Sequence, residues 1–81
     1  MKNLFDLNTI AELLEVNAED LRLETAMDDA DYEEGDDVSY ITGEDVFYYI
    51  ADCVFRDENS IHYGNEAFRA AYIEMVEEYD R

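Results

Sequence analysis

Ten residues, "DDADYEEGDD" at positions 28–37, hold seven carboxylates: Asp28, Asp29, Asp31, Glu33, Glu34, Asp36 and Asp37. Carboxylates this dense can hold a cation, act as acid and base, or present negative charge to a partner. Each use demands its own spacing. A helix–loop–helix calcium site needs oxygen ligands at loop positions 1, 3 and 5, Gly at 6 and Glu at 12. Setting Gly35 at position 6 puts Ala30, Tyr32 and Ile41 at positions 1, 3 and 12. Starting at Asp29 supplies Asp29, Asp31 and Glu33 but puts Glu34 where the glycine belongs. No register satisfies the loop. Only the loose divalent binding of any carboxylate cluster is expected, and no cofactor.

Catalysis has equally little to stand on. His62 and Cys53 are the only residues of their kinds, and nothing in their spacing ties them into a nucleophile–base pair. They read as an ordinary loop histidine and a buried cysteine. With 23 Asp and Glu in 81 residues, acid pairs arise by chance and discriminate nothing. There is no Gly-rich phosphate loop. The chain reads as non-enzymatic.

Charge is the strongest signal. The acids outnumber the bases 23 to five, for a formal charge of −18. Such a chain repels nucleic acid, which is bound directly through Lys and Arg, and it repels an anionic membrane surface. No apolar run approaches the roughly 18 residues of a membrane span. "MKNLFDLNTI" lacks the apolar stretch of a secretion signal. A lone cysteine fits a reducing cytoplasm. Disorder is opposed by 48% hydrophobic content, no Pro and only three Gly.

The elements that must position these charges read as helices. "NTIAELLEV" has Thr9 and Glu12 at capping-box spacing and Ile10, Leu13 and Leu14 on one face. In "VNAEDLRLETAM" Asn17 is the expected cap and Leu21 points inward. Residues 28–37 are loop. "VSYI" (38–41) is a brief strand, pairing with "SIHY" (60–63), or a packed lead-in. Thr42 and Asp45 open a third helix, "GEDVFYYIADCVFRDE", whose Val46, Ile50, Cys53 and Val54 face inward. Tyr48 and Tyr49 are adjacent on it, so one must leave the core stripe. The fourth helix, "NEAFRAAYIEMVEEYDR", repeats Phe68, Ala71, Tyr72, Met75, Val76 and Tyr79 at helical spacing, with Glu66, Glu74, Glu77 and Glu78 outside. Tyr72 and Tyr79 are expected in the core.

The fold class expected is mainly α: a small bundle of about four helices with an acidic loop and room for a minor two-stranded β element. One domain spans 1–81, with a short helical pair (1–27), the loop (28–41) and a helical hairpin (42–81).

"LNTIAELLEVNAEDLR" resembles the opening of a helix-turn-helix. It departs where the DNA-reading helix should start, because Glu19, Asp20 and Glu24 stand where such helices carry basic or amide side chains. A shared packing solution without DNA binding is the reading.

Solubility alone needs far less charge than this chain carries. The acids also extend beyond the loop, to Glu44, Asp45 and Asp52 and to Glu74, Glu77 and Glu78. Carboxylates at i and i+3 or i+4 on a helix lie about 5–6 Å apart, near the few-ångström repeat of nucleic-acid phosphates. In size, charge, tyrosine content and acid-decorated helices such as "GEDVFYYIADCVF" and "EMVEEYD", the chain resembles small acidic phage-encoded DNA mimics of the anti-restriction and anti-CRISPR class. The resemblance implies a cytoplasmic inhibitor in an infected bacterium, filling the DNA- or RNA-binding groove of a defence protein. The expected contact residues are the seven loop acids with Glu44, Asp45, Tyr48, Tyr49, Asp52, Glu74, Glu77 and Glu78. An acidic, antitoxin-like subunit that neutralises a basic protein through an apolar helix face stays open. So does a homodimer, which would lengthen the array of anions.

Overall fold

The computed structural model describes residues 2–80; Met1 and Arg81, the last residue of the fourth expected helix, lie outside the described residues. The architecture is all-helical, with α1 over Leu7–Leu14, α2 over Ala18–Met27, α3 over Gly43–Phe55 and α4 over Glu66–Tyr79. Among the described residues there is no strand. Of the two readings of 38–41, the strand paired with 60–63 does not form and the packed lead-in does. Ile41 is buried as a lead-in to α3, and Ile61 is 87% exposed. Two isolated short strands would have been marginal in any case.

Local chemistry accounts for the helix ends. Asn17 accepts hydrogen bonds from the Glu19 and Asp20 N–H groups, capping α2 as expected. At α3 the Thr42 hydroxyl accepts from the Asp45 N–H while the Asp45 carboxylate accepts from the Thr42 N–H, a reciprocal capping box. Asn65 caps α4 through the Phe68 N–H. The register at α1 differs from expectation. Asp6 is the cap residue, and Thr9 donates its hydroxyl to the Asp6 carboxylate. The helix starts one residue earlier than "NTIAELLEV" because Leu7 belongs to the buried face. It ends where Glu15 adopts the left-handed conformation (φ 59°). The Glu15 and Val16 N–H groups bond the Glu12 and Ala11 carbonyls, a Schellman closure in which glycine is usual.

Helix α1 touches all three other helices, so the core is built around it as much as around the expected α3–α4 hairpin. Leu4, Ile10, Leu21, Val46, Ile50, Val54 and Phe68 are fully buried. Aromatic rings join the elements. Phe47 meets Phe5 edge-on at 4.8 Å and stacks on Tyr72 at 5.9 Å. Gly43 packs closely against the segment before α1. A Cβ there would lie 2.1 Å from the Phe5 carbonyl oxygen. The start of α3 therefore abuts the chain that enters α1.

Past Met75 the expected core face of α4 runs out of partners. Val76 is exposed and Tyr79 is 82% exposed, which corrects the placement of Tyr79 in the core. Among the described residues none buries this last turn, and the molecule measures 42 × 24 × 22 Å.

Candidate protein-binding groove

Three segments converge beside the outer face of α3: the end of α2, the start of the acidic loop and the lead-in at Tyr40–Ile41. Between them runs a groove of about 620 Å³ lined by Thr25, Asp28, Asp29, Tyr40, Ile41, Asp45, Tyr48, Tyr49 and Asp52. Its position follows from the caps and the core. The Thr42–Asp45 box sets where α3 begins, and burial of Val46 and Ile50 turns Asp45, Tyr48 and Asp52 outward. The Arg22 Nε–H donates to the Ile41 carbonyl at 3.1 Å and pins the lead-in against α2. The same guanidinium bonds Glu19, so its charge is turned to that carboxylate.

Six of the expected contact residues meet in this groove: Asp28, Asp29, Asp45, Tyr48, Tyr49 and Asp52. Asp31, Glu33, Glu34, Asp36, Asp37 and Glu44 are not among its lining, and Glu74, Glu77 and Glu78 stand exposed on α4. The loop organises itself through its own acids. Asp29 accepts from the Asp31 N–H, Asp36 from the Glu33 N–H and Asp37 from the Ser39 N–H and hydroxyl. Those last two bonds hold the Asp37 carboxyl below its usual range.

Sequence reasoning missed Thr25, Tyr40 and Ile41 as lining residues. Tyr40 is the most informative. Its hydroxyl is raised above the ordinary tyrosine value by partial desolvation and then by the negative field of Asp29, Asp36 and Asp45. Acids from two segments therefore act on one ring. Carboxylate–tyrosine interleaving in "DDADYEEGDDVSY" was the available signal, but only the path of the loop brings Tyr40 opposite α3.

Behind the groove lies a polar seam. Tyr49 is half-buried, and its hydroxyl is pushed well above the usual value by burial first and then by its hydrogen bond to Cys53. Burial likewise pushes the Cys53 thiol up, partly offset by hydrogen bonds with the Ser60 and Tyr49 hydroxyls. The expectation of an ordinary loop His62 is corrected here. His62 is 6% exposed, and its Nε2 lies 2.8 Å from the Glu24 Oε2. Glu24, read from the sequence as standing where a DNA-reading helix carries a basic or amide side chain, serves that contact instead. Burying an imidazole without a partner is costly, and the carboxylate opposite answers it.

A second, smaller groove of about 370 Å³ lies on the α4 side of the same α3 ridge, lined by Tyr48, Ala51, Asp52, Phe55, Arg56 and Tyr72. Tyr48 and Asp52 border both grooves. Arg69 lies over the Phe55 ring at 5.2 Å. Among the described residues no three of His, Cys, Asp and Glu converge closely enough to hold a metal ion. No helix among those residues is long and apolar enough to cross a membrane. No protein-family model matches the chain, and neither a curated protein nor a solved structure matches it.

Proposed function

We propose that this protein is a non-enzymatic inhibitor whose carboxylates imitate nucleic-acid phosphates and occupy the DNA- or RNA-binding groove of a basic protein. The observation that carries the reading is where the acids sit relative to the helices. None of the four helices has a base in its last turn. That turn instead holds Glu12 in α1, Glu24 in α2, Asp52 in α3 and Glu77 and Glu78 in α4. The negative end of a helix dipole disfavours an acid, by about 0.3–1 kcal/mol at exposed sites. Glu24 has its histidine and Asp52 lies 4.0 Å from Arg56; Glu12, Glu77 and Glu78 stand exposed against the dipole. Charge kept where it weakens the fold is charge kept for a partner.

Spacing supports the same reading. Asp45 and Asp52 are two turns apart on α3, about 10 Å along its axis, which is roughly the rise of three nucleotides. Asp28 and Asp29 line the same groove. A host defence protein of an infected bacterium, such as a restriction or CRISPR effector, supplies a receptor of this kind.

The test is competition. The chain, immobilised and exposed to bacterial lysate, is expected to retain nucleic-acid-binding proteins that duplex DNA releases at constant salt. Affinity for the purified target should fall steeply with salt, as for phosphate contacts. A retained partner with no basic groove, undisturbed by DNA, overturns the proposal.

A separate observation favours a second reading, an antitoxin-like subunit that neutralises a basic protein. Ile73, Val76 and Tyr79 stand exposed along α4, uncovered by any of the described residues. Binding through that stripe would tolerate high salt and would be lost on Ile73→Asp.

A further inference from the structure

We infer that the groove between α2, the loop and α3 is a receptor for an arginine side chain carried by a segment of the partner protein. This rests on the phosphate-mimic reading for the class of partner, but it assigns the groove a role that surface charge alone does not require. A convex mimic presents its carboxylates to a cationic cleft. Here the mimic has a concavity of its own, and its lining is aromatic as well as acidic.

Tyr40 and Tyr48 are 55% and 60% exposed, and Tyr49 forms part of the same lining. An open phenol ring offers its π face to a cation. Four carboxylates, Asp28, Asp29, Asp45 and Asp52, share the lining with the rings, and no lysine or arginine lines it. The nearest base to them that forms an ion pair is Arg56, 4.0 Å from Asp52, with both side chains largely exposed. Arg22 is turned to Glu19 and the Ile41 carbonyl. The volume, about 620 Å³, lies within the range of ordinary ligand clefts, roughly 300–1,000 Å³.

The occupants can be weighed by chemistry. A second copy brings another −18 against the same face. A nucleic-acid phosphate is repelled outright. An apolar segment would strip water from four carboxylates without repaying it. A metal ion has no three acids that converge to cage it. A guanidinium answers both features together, because it lies flat on an aromatic face and forks its N–H groups to carboxylates at its edge. Lysine, a compact and strongly hydrated charge, meets the carboxylates but gains less from the rings, because it has no planar fork and must shed more water to lie on them. The chain already places one guanidinium over an aromatic ring, Arg69 over Phe55 at 5.2 Å.

The probes are hexa-arginine and hexa-lysine, equal in charge, titrated separately into the isotope-labelled full chain at low salt. Binding is followed through the tyrosine ring and backbone amide signals. Hexa-arginine is expected to bind about five-fold or more tightly than hexa-lysine, since stacking adds to charge. The largest shifts should fall on Tyr40, Tyr48 and Tyr49. Tyr40→Ala combined with Tyr48→Ala, with helicity checked by circular dichroism, should bring arginine binding down to the lysine level and leave lysine binding unchanged. If that variant loses helicity, the arginine-to-lysine ratio and the shift positions of the unaltered chain decide alone. Equal affinities for the two peptides, or shifts scattered over the acidic surface, overturn the inference. So does calcium chloride shifting the same three rings as strongly as hexa-arginine. An arginine preference in a chain whose captured partners ignore DNA would keep this site and remove the phosphate-mimic reading.

Discussion

At the scale of single residues, the informative positions are those whose chemistry the fold leaves no room to change. Gly43 opens α3 directly against the Phe5 carbonyl, with space for no side chain. Gly43→Ala must push backbone from backbone and is expected to cost about 1–3 kcal/mol, the range of overpacked sites, read by urea denaturation. Nothing in "ITGED" announces this, because the clash is with a residue 38 positions away. Cys53 shows the reverse case, since its inward placement was legible from helical spacing. Its thiol is raised by burial, and that fixes a sign. The unfolded thiol ionises first, so stability is level below the ordinary thiol value of 9.0 and falls as pH rises above it. Tyr49, raised from 10.0, extends the loss to higher pH. Urea melts between pH 7 and 11 should show the decline, and Cys53→Ala should remove its first part. A melt that is flat with pH in the unaltered chain would contradict the burial of both groups.

At the scale of elements, helix ends and the loop separate stability from function. The acids of the last turn of α4 oppose the dipole. Glu77→Lys with Glu78→Lys should therefore raise stability, by about 0.3–1 kcal/mol for each change, in thermal melts. If α4 contributes to partner binding, the same pair lowers affinity. If the groove alone binds, affinity is little changed. The loop permits the complementary experiment. Replacing Asp28, Asp29 and Asp31 with Asn and Glu33 and Glu34 with Gln should leave helicity intact and raise stability at low salt. The amide introduced by Asp29→Asn keeps an oxygen to accept the Asp31 backbone N–H. Target affinity should fall, with Asp28 and Asp29, which line the groove, accounting for most of the change. Inhibition unchanged after all five substitutions would move the binding face to α3 and α4.

At the scale of the whole molecule, a charge of −18 is held on a body 42 Å long and 24 × 22 Å across. With 23 carboxylates on so small a body, neighbouring charges feel one another even at physiological salt, where the Debye length is about 8 Å. Added sodium chloride should therefore raise the melting temperature steadily from 10 mM to 500 mM while lowering affinity for a basic partner. A shared direction for both quantities would mean that the charge does not govern binding. The acids of α4 and those of the loop lie on different elements, and only Asp28 and Asp29 of the two sets line the groove.

What the sequence by itself determined is local: four helices, the caps of α2 and α3, the buried faces of α3 and of most of α4, the loop at 28–37, and the sign of the surface. These depend on neighbours within one turn of chain, and the composition sets the sign whatever the fold. What only the tertiary structure decided is which distant residues share a surface. Tyr40 joins Tyr48 and Tyr49 because the loop turns back along α3, and the buried His62 of the α3–α4 turn finds its partner in Glu24 of α2. Tyr79 is exposed because its neighbours end before it does. Periodicity says which side of a helix is apolar, but burial needs a second surface, and where that surface stops is settled by how the whole chain packs.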